Sequence, residues 1–93
     1  MDEECSTLRD RAQETIRSGR LPSRKPARIL GGLGSGRPCA LCGTLLLPSH
    51  MEFEIEFNRS GSVQGLDKYH LHPRCFAAWE FEIRTLFAQG AGA

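Results

Sequence analysis

The chain has 93 residues, enough for one small domain, and a domain of this size buries too little apolar surface to be stable without a disulfide or a metal ion. Hydrophobic residues make up 40% of the chain and charged residues 25%, which is typical of a soluble globular protein. No apolar run approaches the roughly 18 residues of a membrane span, and the acidic start does not resemble a signal peptide. We therefore expect a cytoplasmic protein without membrane contact, whose four cysteines favour metal over disulfides.

The net charge of +1 is unevenly distributed along the chain. Residues 1–14 contain five acids and two bases, whereas residues 15–51 contain six bases and no acid. Residues 52–93 contain six acids and four bases. The chain therefore has a basic middle.

Residues 1–19 are predicted to form a helix. Ser6 or Thr7 can cap it, and Gly19 ends it. Its apolar stripe consists of Leu8, Ala12 and Ile16. This stripe could dock a partner, but packing on the hairpin of the same chain is favoured because so small a core needs every apolar face.

Residues 20–37 are dense in Gly, Pro and Arg and show no sustained period, so they are predicted to form an extended basic arm. The stretch "GGLGSG" lacks the Gly-Lys-Ser/Thr end of a phosphate-binding loop and is interpreted as a flexible hinge. Bases in an acid-free stretch could follow a nucleic-acid backbone. The candidate nucleic-acid-binding residues are Arg17, Arg20, Arg24, Lys25, Arg28 and Arg37.

Residues 38–88 are predicted to form the main module. "MEFEIEF" at 51–57 alternates apolar and acidic residues, which predicts a strand buried on one face only. "NRSG" at 58–61 predicts a turn, and 63–69 can return as a second strand with a bend at Gly65.

A helix is predicted to begin at Pro73, because proline suits the first helical position. Apolar residues then recur at spacings of three and four: Phe76, Trp79, Ile83, Leu86 and Phe87. Residues 89–93 have nothing to bury and are predicted to be a disordered tail.

Four metal-binding side chains occur in two spaced pairs. Cys39 and Cys42 form a Cys-x-x-Cys step followed by Gly43, which permits a tight left-handed turn. His72 and Cys75 lie three apart at the predicted helix start. Three sulfurs and one imidazole suit zinc, and full coordination leaves no position for a catalytic water, so we expect one structural Zn²⁺.

Two alternatives remain at this site. A redox dithiol at Cys39 and Cys42 is disfavoured, because a Gly-Arg-Pro segment precedes it where a thioredoxin-like protein has a strand. The fourth ligand could be His70 instead of His72, although His72 repeats the three-residue spacing. Cys5 has no spaced partner and is predicted to be a free thiol.

The order of these motifs resembles the treble-clef family of zinc fingers. "SGRPCALCG" and "YHLHPRCFAAWE" are similar to the poly(ADP-ribose) polymerase-type finger, which also occurs in a DNA ligase. "HPRCF" resembles LIM domains more distantly. The chain also resembles small uncharacterised bacterial zinc-binding proteins with a "GSG.PC..CG" start and a "H..C..AWE" end.

The resemblance covers roughly residues 35–80 and implies a small α+β fold made of a zinc knuckle, an antiparallel hairpin and a C-terminal helix. It implies the same ligands as the spacing argument and places Phe76 and Trp79 in the helix core. The polymerase-type fingers bind DNA strand breaks. Unlike them, this chain has no Lys or Arg in the stretch "CALCGTLLLPSH" at 39–50, and the strand glutamates at 52–56 would repel phosphate.

We therefore expect a non-catalytic zinc-binding module, because its one His and Cys cluster is assigned to metal and no nucleophile is spaced with a base. It has no predicted small-molecule substrate. Its partner is predicted to be nucleic acid bound through the basic arm, or alternatively a protein bound on a zinc-stabilised surface.

Overall fold

A computed structural model describes residues 2–59 and 65–92, with side chains at 7–59 and 65–86. The elements are helix α1 (Asp2–Arg17), strands β1 (Arg28–Leu33), β2 (Met51–Asn58) and β3 (Leu66–Leu71), and helix α2 (Pro73–Gly92). The chain is a small α+β protein, as expected. No helix in the described part of the chain is long and apolar enough to cross a membrane.

Helix α1 begins at Asp2, earlier than the predicted cap at Ser6 or Thr7. Residues 2–4 of the sequence are acidic, and acidic residues are favoured in the first turn of a helix. The predicted end is confirmed, since Gly19 has a φ of 82° and stops the helix just after Arg17.

The apolar stripe of α1 packs inside the molecule. Ala12 is fully buried, and Leu8 and Ile16 lie against the same core. The packing partner is α2 and not the hairpin, and Gln13 Nε2 donates a hydrogen bond to Glu82 Oε1 across the two helices at 3.3 Å.

The sheet is antiparallel with the order β1-β2-β3, and β1 lies inside the predicted arm. The prediction of an extended segment without regular structure over 20–37 is thus wrong for 28–33. Gly31 and Gly32 have no side chains and so interrupt the alternation from which a strand is predicted. The strand forms because it pairs with β2, which lies about twenty residues further along the chain. The expected hinge is also wrong, because Gly34 and Gly36 donate hydrogen bonds to His50 and Leu46.

Strand β2 confirms the predicted alternation. Its apolar face packs on α2, where Phe53 lies 4.9 Å from Phe76 and Phe57 lies 6.0 Å from Trp79, measured between ring centroids. Its acidic face is not solvated as expected, since Glu52 and Glu56 are buried. Residues 60 and 61 of the predicted turn and the start of the returning strand lie outside the described residues.

Helix α2 begins at Pro73 as predicted but continues to Gly92. The disordered tail predicted for residues 89–93 is therefore wrong over 89–92, because extending an existing helix by one turn is easier than nucleating a new one, even across Gly90 and Gly92. Trp79 and Phe76 are buried, as the family resemblance implied.

Candidate metal centre

A tight turn brings the first two cysteines together. The Gly43 amide donates to the carbonyl oxygen of Cys39 at 3.0 Å, and the Cys39 amide donates to the carbonyl oxygen of Thr44 at 2.8 Å. Gly43 has a φ of 84°, in the left-handed region that favours glycine, as predicted. This turn directs both thiols to one side of the loop.

The second pair lies where β3 meets α2. His72 separates the two elements, and its carbonyl oxygen accepts the first helical hydrogen bond, from the Phe76 amide at 2.8 Å. Cys75 follows within the first turn of α2. The Ala40 amide donates to the carbonyl oxygen of His70 at 2.8 Å, which joins the cysteine turn to the end of β3.

The structure brings all four predicted ligands together. The Sγ atoms of Cys39, Cys42 and Cys75 and one ring nitrogen of His72 lie within 4.8 Å of one another. His72 Nδ1 is 3.4 Å from Cys42 Sγ and 3.9 Å from Cys75 Sγ. Zinc bond lengths imply donor separations of roughly 3.5–3.8 Å in a tetrahedron. The four atoms therefore fit one metal ion.

The imidazole of His72 is oriented for metal binding. Its Nε2 atom lies 3.2 Å from the carbonyl oxygen of Leu45, and a carbonyl only accepts, so the Nε2–H donates. The Nδ1 lone pair is then left facing the sulfurs. Metal-binding histidines characteristically donate their other N–H in this way.

Neighbouring hydrogen-bond donors favour the charged form of the sulfurs. The Leu41 amide lies 3.4 Å from Cys39 Sγ, and Thr44 Oγ1 lies 3.0 Å from Cys42 Sγ. Cys39 and Cys75 are buried. Hydrogen bonds from an amide and a hydroxyl stabilise thiolates where water is excluded.

The thiols resist ionising together without a cation. A hydrogen bond from the Cys75 thiol lowers the pKa of Cys39 to about 4. The same hydrogen bond, followed by burial and the charges of Cys39 and Cys42, raises the pKa of Cys75. Close thiolates repel one another, so all three ionise together only when a bound cation compensates them.

His70 lies outside the cluster. Its Nδ1 is 2.7 Å from Glu52 Oε2, and its Nε2 accepts from Arg37 Nη1 at 2.9 Å. The alternative of His70 as the fourth ligand therefore has no support in the geometry, and His72 is the histidine that faces the sulfurs. The two rings separate because β3 ends at Leu71: His70 keeps its place on the strand, whereas His72 lies in the connection to α2 and no longer follows the alternation of the strand.

Thr44 and Leu45 were missed as contributors to this centre. The threonine two residues after Cys42 offers a weak signal in the sequence, since its hydroxyl can reach a neighbouring sulfur. Leu45 contributes through its backbone carbonyl, for which its side chain carries no signal. Cys5 has a side chain outside the described residues, so its assignment as a free thiol stays a prediction.

The six candidate nucleic-acid-binding bases do not form one surface of uncommitted charge. Arg17 Nη2 pairs with Glu14 Oε1 at 2.7 Å, and Arg28 Nη2 pairs with Glu56 Oε1 at 2.9 Å. Arg24 donates to the carbonyl oxygen of Asn58 and lies over the ring of Phe57. Arg20 Nε donates to Ser18 Oγ, and Arg37 donates to His70 as described above. The sixth base of the set is Lys25.

Comparison of the chain with protein-family models, curated proteins and solved structures finds no match. The donor set and the geometry around it are what indicate a metal centre.

Proposed function

We propose that this chain is a non-catalytic module whose fold is stabilised by one Zn²⁺ ion. The observation that carries the proposal is the orientation of His72, whose Nε2–H is taken by a backbone carbonyl while Nδ1 faces three cysteine sulfurs. Three thiolates and an imidazole favour zinc over Mg²⁺ or Ca²⁺, which bind oxygen. When bound, the zinc supplies cross-linking between the cysteine turn and the start of α2.

Four protein donors fill the coordination sphere of a tetrahedral ion, which supports a structural role. A catalytic zinc keeps one position for water or substrate. The order of cysteine turn, hairpin and ligand-bearing helix start supports the resemblance to treble-clef fingers. We accordingly propose that the ion maintains a shape and does not take part in a reaction.

The binding partner of the module is inferred from observations other than the zinc site. Nucleic-acid binding through the arm remains a proposal, and the ion pairs of Arg17 and Arg28 reduce the charge that could face phosphates. Protein interaction is supported by exposed apolar side chains on β1, namely Ile29, Leu30 and Leu33. Apolar surface of this kind marks protein contacts.

The metal assignment is tested by replacing His72 or His70, which lie two residues apart, with glutamine in separate variants. Native mass spectrometry with elemental analysis should find one zinc per wild-type chain. His72→Gln should weaken zinc binding at least about 100-fold, since losing a ligand costs more than losing its hydrogen-bond partner. His70→Gln, the matched control, should keep one zinc. No zinc in the wild type, or equal loss in both variants, would refute the proposal.

A further inference from the structure

Strand β1 leaves one row of backbone groups without a partner. The Gly34 amide donates to the His50 carbonyl, and partners alternate along an antiparallel pair, so Leu30 and Gly32 direct their N–H and C=O groups to β2. The groups of Ile29, Gly31 and Leu33 therefore point away from the sheet. Among the described residues β1 is an edge strand, so no neighbouring strand pairs with these groups.

This edge lacks the devices that keep sheet edges apart. Natural edge strands carry lysine, proline, bulges or a covering loop. All six residues of β1 are exposed, and the strand RILGGL pairs regularly with β2 and contains neither lysine nor proline. Its one charge, on Arg28, lies at the end of the strand.

We propose that β1 pairs antiparallel with β1 of a second copy of this chain, about a twofold axis at Gly31, to form a continuous six-stranded sheet. In this register Ile29 lies opposite Leu33 of the second copy, and both have outward backbone groups. The strand is thus self-complementary, as a twofold contact requires.

On the apolar face of the sheet lies a groove that would accept Leu33, the most exposed side chain of β1. Leu33 is 77% exposed. Ile29, which lies opposite Leu33 of the second copy in this register, lines a groove of about 420 Å³ between the arm and α2. Pro26, Trp79 and Ile83 supply its other apolar lining, and Lys25, Glu80 and Arg84 supply charged lining. Each copy therefore offers a leucine to the groove of the other.

The opposite face of the sheet has a matching hollow. Gly32 has no side chain, and a Cβ built there would meet nothing within 4 Å. The hollow beside it measures about 180 Å³ and is bordered by Glu52 and Glu54. In the proposed register Leu30 of the second copy lies opposite Gly32 and covers this hollow.

Charge does not oppose the pairing. Arg28 lies opposite Gly34 of the second copy, so the two arginines are six residue positions apart, roughly 20 Å at about 3.4 Å per residue. That distance exceeds the Debye length of about 10 Å at moderate salt. Arg28 also keeps its own partner, Glu56.

Sedimentation of the zinc-loaded full chain, from micromolar to millimolar concentration, tests the pairing. We expect a reversible dimer. Leu33→Lys should raise its dissociation constant at least about 100-fold, because a symmetric dimer loses the apolar contact between Leu33 and Ile29 twice and brings each lysine towards Lys25 and Arg84. Leu66→Lys, the matched control on the other edge strand, should leave dimerisation unchanged. Zinc content and a dispersed NMR spectrum verify that each variant is folded.

Disulfide trapping tests the register, on a Cys5→Ser background. Ile29→Cys mixed with Leu33→Cys should cross-link, because hydrogen-bonded antiparallel pairs have Cα atoms about 5.5 Å apart. Ile29→Cys alone should not, since the two copies of residue 29 are four positions out of register. A monomer at every concentration, or a dimer insensitive to Leu33→Lys, would overturn the proposal. A cross-link with Ile29→Cys alone would overturn the register.

Discussion

The indole Nε1 of Trp79 donates a hydrogen bond to the carbonyl oxygen of Pro22, 3.1 Å away. This contact joins the segment before β1 to the middle of α2, and Trp79 is buried against Phe57 and Phe76. A buried indole needs such an acceptor, because an unpaired N–H inside a protein is costly. The hydrogen bond therefore sets where residues 20–27 cross the helix.

Trp79→Phe should lower the free energy of unfolding by about 2–3 kcal/mol, through the lost hydrogen bond and the smaller ring. Denaturant unfolding of the zinc-loaded protein measures this. Phe81→Leu replaces an exposed aromatic on the same helix, with Arg9 over its ring, and should cost no more than about 1 kcal/mol. Equal stability of Trp79→Phe and the wild type would contradict the role of the contact.

Removing the metal should unfold the module, because structural zinc contributes about 10–16 kcal/mol of apparent binding free energy in small fingers. Cys75→Ser should therefore lose both zinc and the dispersed NMR spectrum, as should Cys39→Ser. Cys5→Ser should keep both. A Cys75→Ser variant that stays folded with zinc bound would show that the ion is not what stabilises this fold.

Glu56 should make stability depend on pH. Hydrogen bonds from Glu54 and then Arg28 lower the pKa of Glu56 below its ordinary value of 4.5. A lowered pKa in the folded state stabilises the protein above the unfolded pKa, and this stabilisation is lost as the pH falls through the folded pKa. Glu56→Gln should thus be less stable than the wild type at neutral pH.

That difference between wild type and Glu56→Gln should shrink as the pH falls below 4.5. Denaturant unfolding of both proteins across this range measures it, and taking the difference removes the acid sensitivity of the thiolates that both share. Glu80→Gln, on the surface of α2, is the control and should show a smaller effect. A difference independent of pH would mean that Glu56 is not ionised in the folded protein.

Nucleic-acid binding, if carried by the arm, should depend on its phosphate contacts. Replacing Arg24, Lys25 and Arg28 with alanine should weaken binding and flatten its dependence on salt, since fewer counterions are released. A control that removes three charges outside the arm replaces Arg59, Arg74 and Arg84 with alanine. Fluorescence anisotropy with short oligonucleotides measures both. Binding that is absent, or insensitive to salt, would favour a protein partner.

Several elements could be predicted because their signals are local. Strand β2 follows from a two-residue alternation, and α2 follows from Pro73 and spacings of three and four. The two ligand pairs likewise follow from three-residue spacings, which place both members of a pair on one side of a turn. Each of these signals depends on chain geometry within a few residues.

Other features depended on segments far apart in the chain. Strand β1 could not be recognised in a glycine-rich stretch, because its partner strand lies 18 to 28 residues further along the chain, from Leu33 opposite Met51 to Arg28 opposite Glu56. The burial of Glu56 was missed for the same reason, since Arg28 and Lys68 cover it from the two flanking strands. Pairing between strands rather than local propensity decides both.

The sequence by itself determined the three cysteine donors, the hairpin strand β2 and the helix α2, since spacing alone places side chains on one face. Only the tertiary structure decided that His72 and not His70 joins the cysteines, that α1 packs on α2, and that the arm contains a strand with a free edge. These depend on which surfaces remain after the chain has folded, and the free energy of burial and pairing between distant segments selects them.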